Sequence, residues 1–303
     1  MAIDQVQQTQ NVTVMAYVLK RKKQVRVFIA LAAITVLLFL GFGAGLIYKQ
    51  VTTMRQYEKL IGVADSTDYH EKVSAYVAGV KLVPKDPRAY IKLLEAYEQN
   101  GVFDLEQSGE FTALYNQYSK EIKPEETGDL NYKAGRMYFN LYTENGEAVS
   151  MSARVQKSAS FFDACTQNPP SDKSAADVAV CYSTICNYYK NYILKSSDTK
   201  EVTAETISTL FSAANKAIEA VQSTGEYDQL LLYSSICNFL YDQRTQIATV
   251  YGDRLDEVVA LLDKVDTLTR NLAVGKPESI AIQNKIIDNI DDYKTAIMVA
   301  FES

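Results

Sequence analysis

Apolar positions recur every three or four residues along most of the chain, the spacing of helices with one buried face. In 253–272, Leu255, Val258, Leu262, Val265, Leu268 and Leu272 form one such stripe. The same spacing predicts helices over 69–83, 105–121, 128–143, 151–167, 172–194, 203–222 and 226–248. Asp86 followed by Pro87 marks the start of another, carrying Tyr90, Leu93, Leu94 and Tyr97 and ending near Gly101. A last helix opens at Pro277, with Ile280, Ile287, Ile290, Tyr293 and Ile297 on one side and Asp288, Asp291 and Asp292 on the other. One segment breaks the alternation. Residues 27–48, VFIALAAITVLLFLGFGAGLIY, carry no charge, and Lys20, Arg21, Lys22, Lys23 and Arg26 precede them.

A run of that length and polarity predicts a transmembrane helix. The basic cluster then leaves a short tail (1–19) and a basic segment (20–26) in the cytoplasm. It sends a helical connector (49–68) and an ectodomain (69–303) outside, and localises the chain to the cell membrane by a single-pass signal-anchor. Gly41-Phe42-Gly43-Ala44 offers a small-residue cleavage site, so a cleaved signal peptide is the alternative. The continuation of the apolar run to Tyr48 favours the anchor. Gly41 and Gly45 make a G-x-x-x-G spacing through which two membrane helices can approach as a homodimer.

Composition sharpens the fold class. Thirteen glycines, six prolines and no tryptophan leave too few tight turns for a β-rich domain, so the expectation is all-α. Beyond residue 48 there are 26 basic and 36 acidic residues, a poor match for nucleic acid. Cys165, Cys181 and Cys186 sit among apolar neighbours, as small buried thiols do; with Cys237 they make an even number in an extracytoplasmic domain, which leaves disulfides open.

No catalytic set stands out. The single histidine, His70, removes most triads and metal sites, and no C-x-x-C, H-E-x-x-H, G-x-S-x-G or P-loop occurs. Adjacent acids such as Glu125-Glu126 and Asp291-Asp292 point about 100° apart on a helix and form no facing dyad. The expectation is a non-enzyme with no cofactor and no metal. Tyr188-Tyr189 is read as core.

The stretch from Tyr69 to Phe103 carries a further pattern. Tyr69, Lys72, Tyr76, Gly79 and Pro84 fall where the second helix of a tetratricopeptide (TPR) unit places its contact residues and closing proline. Tyr90, Leu93, Leu94, Tyr97, Gly101 and Phe103 fall where the next first helix places its own. Lys72 and Leu94 depart from the small residues of that pattern. Ala134, Gly135 and Tyr138, then Ser158, Phe162, Cys165 and Pro170, give a weaker echo, and the match fades beyond residue 171. The chain thus resembles the TPR family. Its layout is similar to the outer half of bacterial membrane-spanning serine/threonine kinases, without the kinase motifs.

The resemblance implies an α-solenoid of antiparallel helix pairs in which Tyr69, Tyr76, Gly79, Pro84, Tyr90, Leu93, Tyr97, Gly101 and Phe103 pack the helices. It also implies a concave face that grips a protein or peptide partner through exposed side chains of the first helices, here Lys92, Glu95, Glu98 and Gln99. The functional expectation is therefore a membrane-tethered scaffold or sensor. The alternative is an extracytoplasmic binder of a small molecule or cell-wall glycan, or an enzyme acting on one through carboxylates; it looks for a pocket of converging tyrosines and acids.

Overall fold

The computed structural model describes residues 21–22, 31, 35–36, 45–64, 67–101, 103–143, 145–195 and 201–303. They are all-α, and the chain divides into two compact units, Met1–Lys59 and Leu60–Ser303.

In the first unit the described residues are helical, with a continuous helical stretch from 45 into the start of the second unit. Here the structure corrects the membrane expectation. No helix among the described residues is long and apolar enough to cross a membrane. The transmembrane helix over 27–48, its bilayer contact and the single-pass cell-membrane localisation with an extracytoplasmic C-terminal domain are therefore unsupported. Of that run, 27–30, 32–34 and 37–44 lie outside the described residues, as does Gly41 of the expected homodimer contact.

The second unit consists of α1 (Tyr69–Leu82), α2 (Pro87–Gln99), α3 (Leu105–Tyr118), α4 (Gly128–Phe139), α5 (Met151–Gln167), α6 (Lys173–Tyr188), α7 (Ala204–Val221), α8 (Glu226–Asp242), α9 (Arg244–Tyr251), α10 (Leu255–Asn271) and α11 (Pro277–Glu302). Starts are set by side-chain caps: Asp68, Asp86, Asp104, Ser150, Asp172 and Thr203 each accept from a backbone N–H in the first turn. From α1 to α7 most helices pack on the next in sequence, α1 on α2, α4 on α5, α5 on α6 and α6 on α7, with α1–α3, α2–α4 and α4–α6 contacts one step further. The C-terminal part departs from this order. The 26-residue α11 lies against α8, α9 and α10 together and covers their apolar sides with Ile286, Ile290 and Ile297.

Close approach is clearest between α4 and α5. A Cβ at Gly135 would stand 3.0 Å from Phe162 Cε1, so the absent side chain lets that ring pack. Phe162 stacks on Tyr182 of α6 with ring centres 4.9 Å apart, which joins three helices in one aromatic core. Tyr76, Gly79, Tyr90, Leu93, Tyr97 and Phe103 are buried, while Tyr69, Pro84 and Gly101 are half-buried.

Two helix ends differ from the periodicity. The pattern over 172–194 closes in a wide π turn, Tyr189–Ile193, which turns both Tyr188 and Tyr189 into the core. The pattern over 226–248 breaks at Gln243, whose carboxamide donates to Asp242 Oδ2 (2.7 Å). All four cysteines are buried free thiols, and burial pushes each up to about 12.

Candidate functional site

The site grows from the exposed side of α2. Tyr90, Leu93, Leu94 and Tyr97 occupy its buried face, which leaves Lys92, Glu95, Glu98 and Gln99 on the other. Lys92 Nζ reaches Glu95 Oε2 at 3.0 Å one turn along. Next to it, α4 directs Lys133 and Arg136 at the same acids. Lys133 Nζ lies 3.3 Å from Glu95 Oε1 and 3.6 Å from Glu98 Oε2, and Arg136 Nη2 donates to Glu98 Oε1 at 2.5 Å.

The third wall is the first turn of α8. Asp228 pairs with Arg136 Nη1, and the Tyr227 ring centre lies 6.0 Å from the guanidinium carbon. Glu226 faces the opposite way along the chain: its carboxylate accepts from the backbone N–H groups of Gly275 and Lys276 at 3.1 to 3.2 Å, which fastens the entry to α11. The acids, Lys133, Arg136 and Tyr227, with Gln99, Lys276 and Glu278, line a cavity of about 390 Å³.

Arg136 is the centre of the arrangement. Its side chain is 4% exposed, and its Nε has no hydrogen-bond partner among the described residues. Burial, the largest single influence, works against its charge, but Glu98 together with Tyr132, Tyr182 and Tyr227 outweighs it and holds the guanidinium above its usual range. Burial likewise works against charge on Glu95, and Lys133 with Lys92 outweighs it, so that carboxyl titrates below its usual range. Burial and the neighbouring Glu98 push the Tyr227 phenol up.

The lining holds five carboxylates and three cations, Lys133, Arg136 and Lys276, so the cavity is ionic with a negative surplus. It offers ion pairs that an incoming charged chain can exchange, and it contains no histidine, serine or cysteine to act as base or nucleophile. Among the described residues, no group of three or more His, Cys, Asp or Glu is placed to hold a metal.

Three of the four residues singled out in the sequence, Glu95, Glu98 and Gln99, line the cavity, and Lys92 stands at its edge through Glu95. Sequence reasoning missed Lys133, Arg136, Tyr227 and Asp228. Arg136 left one trace, a charge set directly between Ala134-Gly135 and Met137-Tyr138-Phe139. The glycan alternative looks for tyrosines and acids together. Tyr227 is the sole tyrosine beside the five carboxylates here.

No protein-family model matches the chain, and neither a curated protein nor a solved structure matches it, so the likeness to TPR proteins rests on the spacing of the residues named above.

Proposed function

We propose that the chain is a non-catalytic, TPR-like helical scaffold that binds a charged segment of a protein or peptide partner in the ionic cavity between α2, α4 and the start of α8. The observation that carries it is a linked set of ion pairs, in which Glu98 and Asp228 hold the buried Arg136 and Lys133 bridges Glu95 and Glu98. Buried charge is retained at a cost unless it is paired, and here the pairs are open to a cleft. The order of hairpin contacts from α1 to α7 and the small-residue approach at Gly135 support the TPR-like part. The negative surplus favours a partner segment bearing lysine or arginine.

The test is a selection of displayed random peptides on the full chain, repeated on Glu95→Lys. Enriched basic peptides that bind Glu95→Lys at least about tenfold more weakly support the assignment. Peptides indifferent to that change, or no enrichment at all, count against it.

A further inference from the structure

Helix α4 has a second working face. Asn131 and Tyr138 lie two turns apart on the side opposite Lys133 and Arg136, and they floor a cleft of about 460 Å³ between α3 and α5. That volume is in the range of small-molecule sites. Its wall is a train of rings. Tyr138 and Phe161 stack with centres 5.5 Å apart and planes 8° from parallel, and Tyr115 meets Phe161 edge-on at 5.3 Å. Phe161 and Tyr115 are half-buried, so each leaves part of a ring open.

Two polar groups of this cleft are donors without an acceptor among the described residues. Asn131 is 3% exposed; its Oδ1 accepts from Tyr115 Oη at 3.3 Å, and its amide NH₂ makes no hydrogen bond among the described residues. Lys157 Nζ sits 5.9 Å from the centre of the Tyr138 ring and has no ion pair among the described residues. No carboxylate lines the cleft, on a chain of formal net charge −6 whose other α4 cavity holds five.

An open aromatic face beside one unpaired ammonium and a buried neutral donor complements a flat ring that bears a negative charge. A neutral sugar leaves Lys157 unpaired and finds no carboxylate for its hydroxyl donors. We infer that the cleft between α3 and α5 is a binding site for a small aromatic carboxylate, with the ring against Phe161 and Tyr115 and the carboxylate on Lys157 and Asn131. This site shares no residue with the ionic cavity, so the two assignments stand or fall separately.

The chain contains no tryptophan, so indole emission reports the probe alone. Titrating the full chain into indole-3-acetate gives saturable binding, with Kd of roughly 10 µM to 1 mM for so few atoms. The neutral analogue 3-methylindole binds about tenfold more weakly, and Lys157→Gln loses about tenfold while Lys92→Gln loses nothing. Phe161→Leu abolishes binding, with the circular-dichroism spectrum and unfolding midpoint confirming that the variants are folded. Any of these results overturns the inference: no saturable binding of indole-3-acetate or of 2-naphthoate, equal affinity for 3-methylindole, or an unchanged affinity in Lys157→Gln. Displacement of the probe by N-acetylglucosamine at lower concentration than by benzoate overturns it in favour of a sugar site.

Discussion

The two faces of α4 solve the same problem by different means. On one face, Lys133 and Arg136 meet acids supplied by α2 and by the start of α8, elements far apart in sequence. On the other, Asn131 and Tyr138 meet rings and amides of α3 and α5, its immediate neighbours along the chain. The ionic cavity exists only when distant helices are already in place, because each of its buried charges is tolerable only with its partner. The aromatic cleft is assembled by the helices next to α4 and needs no partner charge. One face therefore reports on long-range closure of the helix stack, and the other on local packing.

The sharpest way to break this contrast is Arg136→Ala. It leaves Asp228 without its cation and Glu98 with Lys133 alone. Removing one partner of a buried pair costs about 3 to 5 kcal/mol, and the lower end applies because the Asp228 side chain is 34% exposed. Urea unfolding of the variant measures it, and a loss below about 1 kcal/mol would show that the ionic face carries no long-range closure. Gly135→Ala comes next and strains the packing of α4 on α5 from which both faces are presented. A new Cβ meets the Phe162 ring at 3.0 Å, and that ring is fully buried against Tyr182 and Phe139. Overpacking costs about 1 to 3 kcal/mol, and the helix propensity of alanine returns up to about 1 kcal/mol, so the expected net loss is about 1 kcal/mol. Probe and peptide binding both weaken in this variant, whereas a variant of one face alone affects one of them.

What was legible beforehand follows the same division. The helices were readable because period and caps are local: Val258, Leu262 and Val265 of the 255–272 stripe are fully buried, and Asp86-Pro87 opens α2. The break at Gln243 was not, because the polar run from Asp242 to Gln246 holds no glycine or proline to mark it and the interruption depends on Asp242 and on Tyr189 from another helix. Glu95, Glu98 and Gln99 were within reach, since they stand opposite a clear apolar face. Their partner Arg136, and Asp228 beyond it, are joined only by tertiary closure, which no local spacing encodes. The membrane expectation rested on the hydropathy of 27–48 and the basic cluster before it, and no helix among the described residues is long and apolar enough to cross a membrane.

The smallest expected effect is also the one that assigns a pH window to the ionic face. The Glu95 carboxyl titrates below its ordinary value of 4.5, because Lys133 and Lys92 outweigh the burial that opposes its charge. A carboxyl whose folded value is depressed contributes stability above its unfolded value and loses that contribution as the pH falls through the folded one. The side chain is 31% exposed, so solvent screens the pairs and the contribution stays under about 1 kcal/mol. The unfolding midpoint of Glu95→Gln therefore lies slightly below that of the unaltered chain from pH 7 to about 5, and the gap closes below pH 4.5. Lys157→Gln on the aromatic face gives a gap that does not change over the same range, because no carboxylate lines that cleft. Two flat profiles would mean that Glu95 holds neither lysine in solution, and the contrast between the faces of α4 would then rest on Arg136 alone.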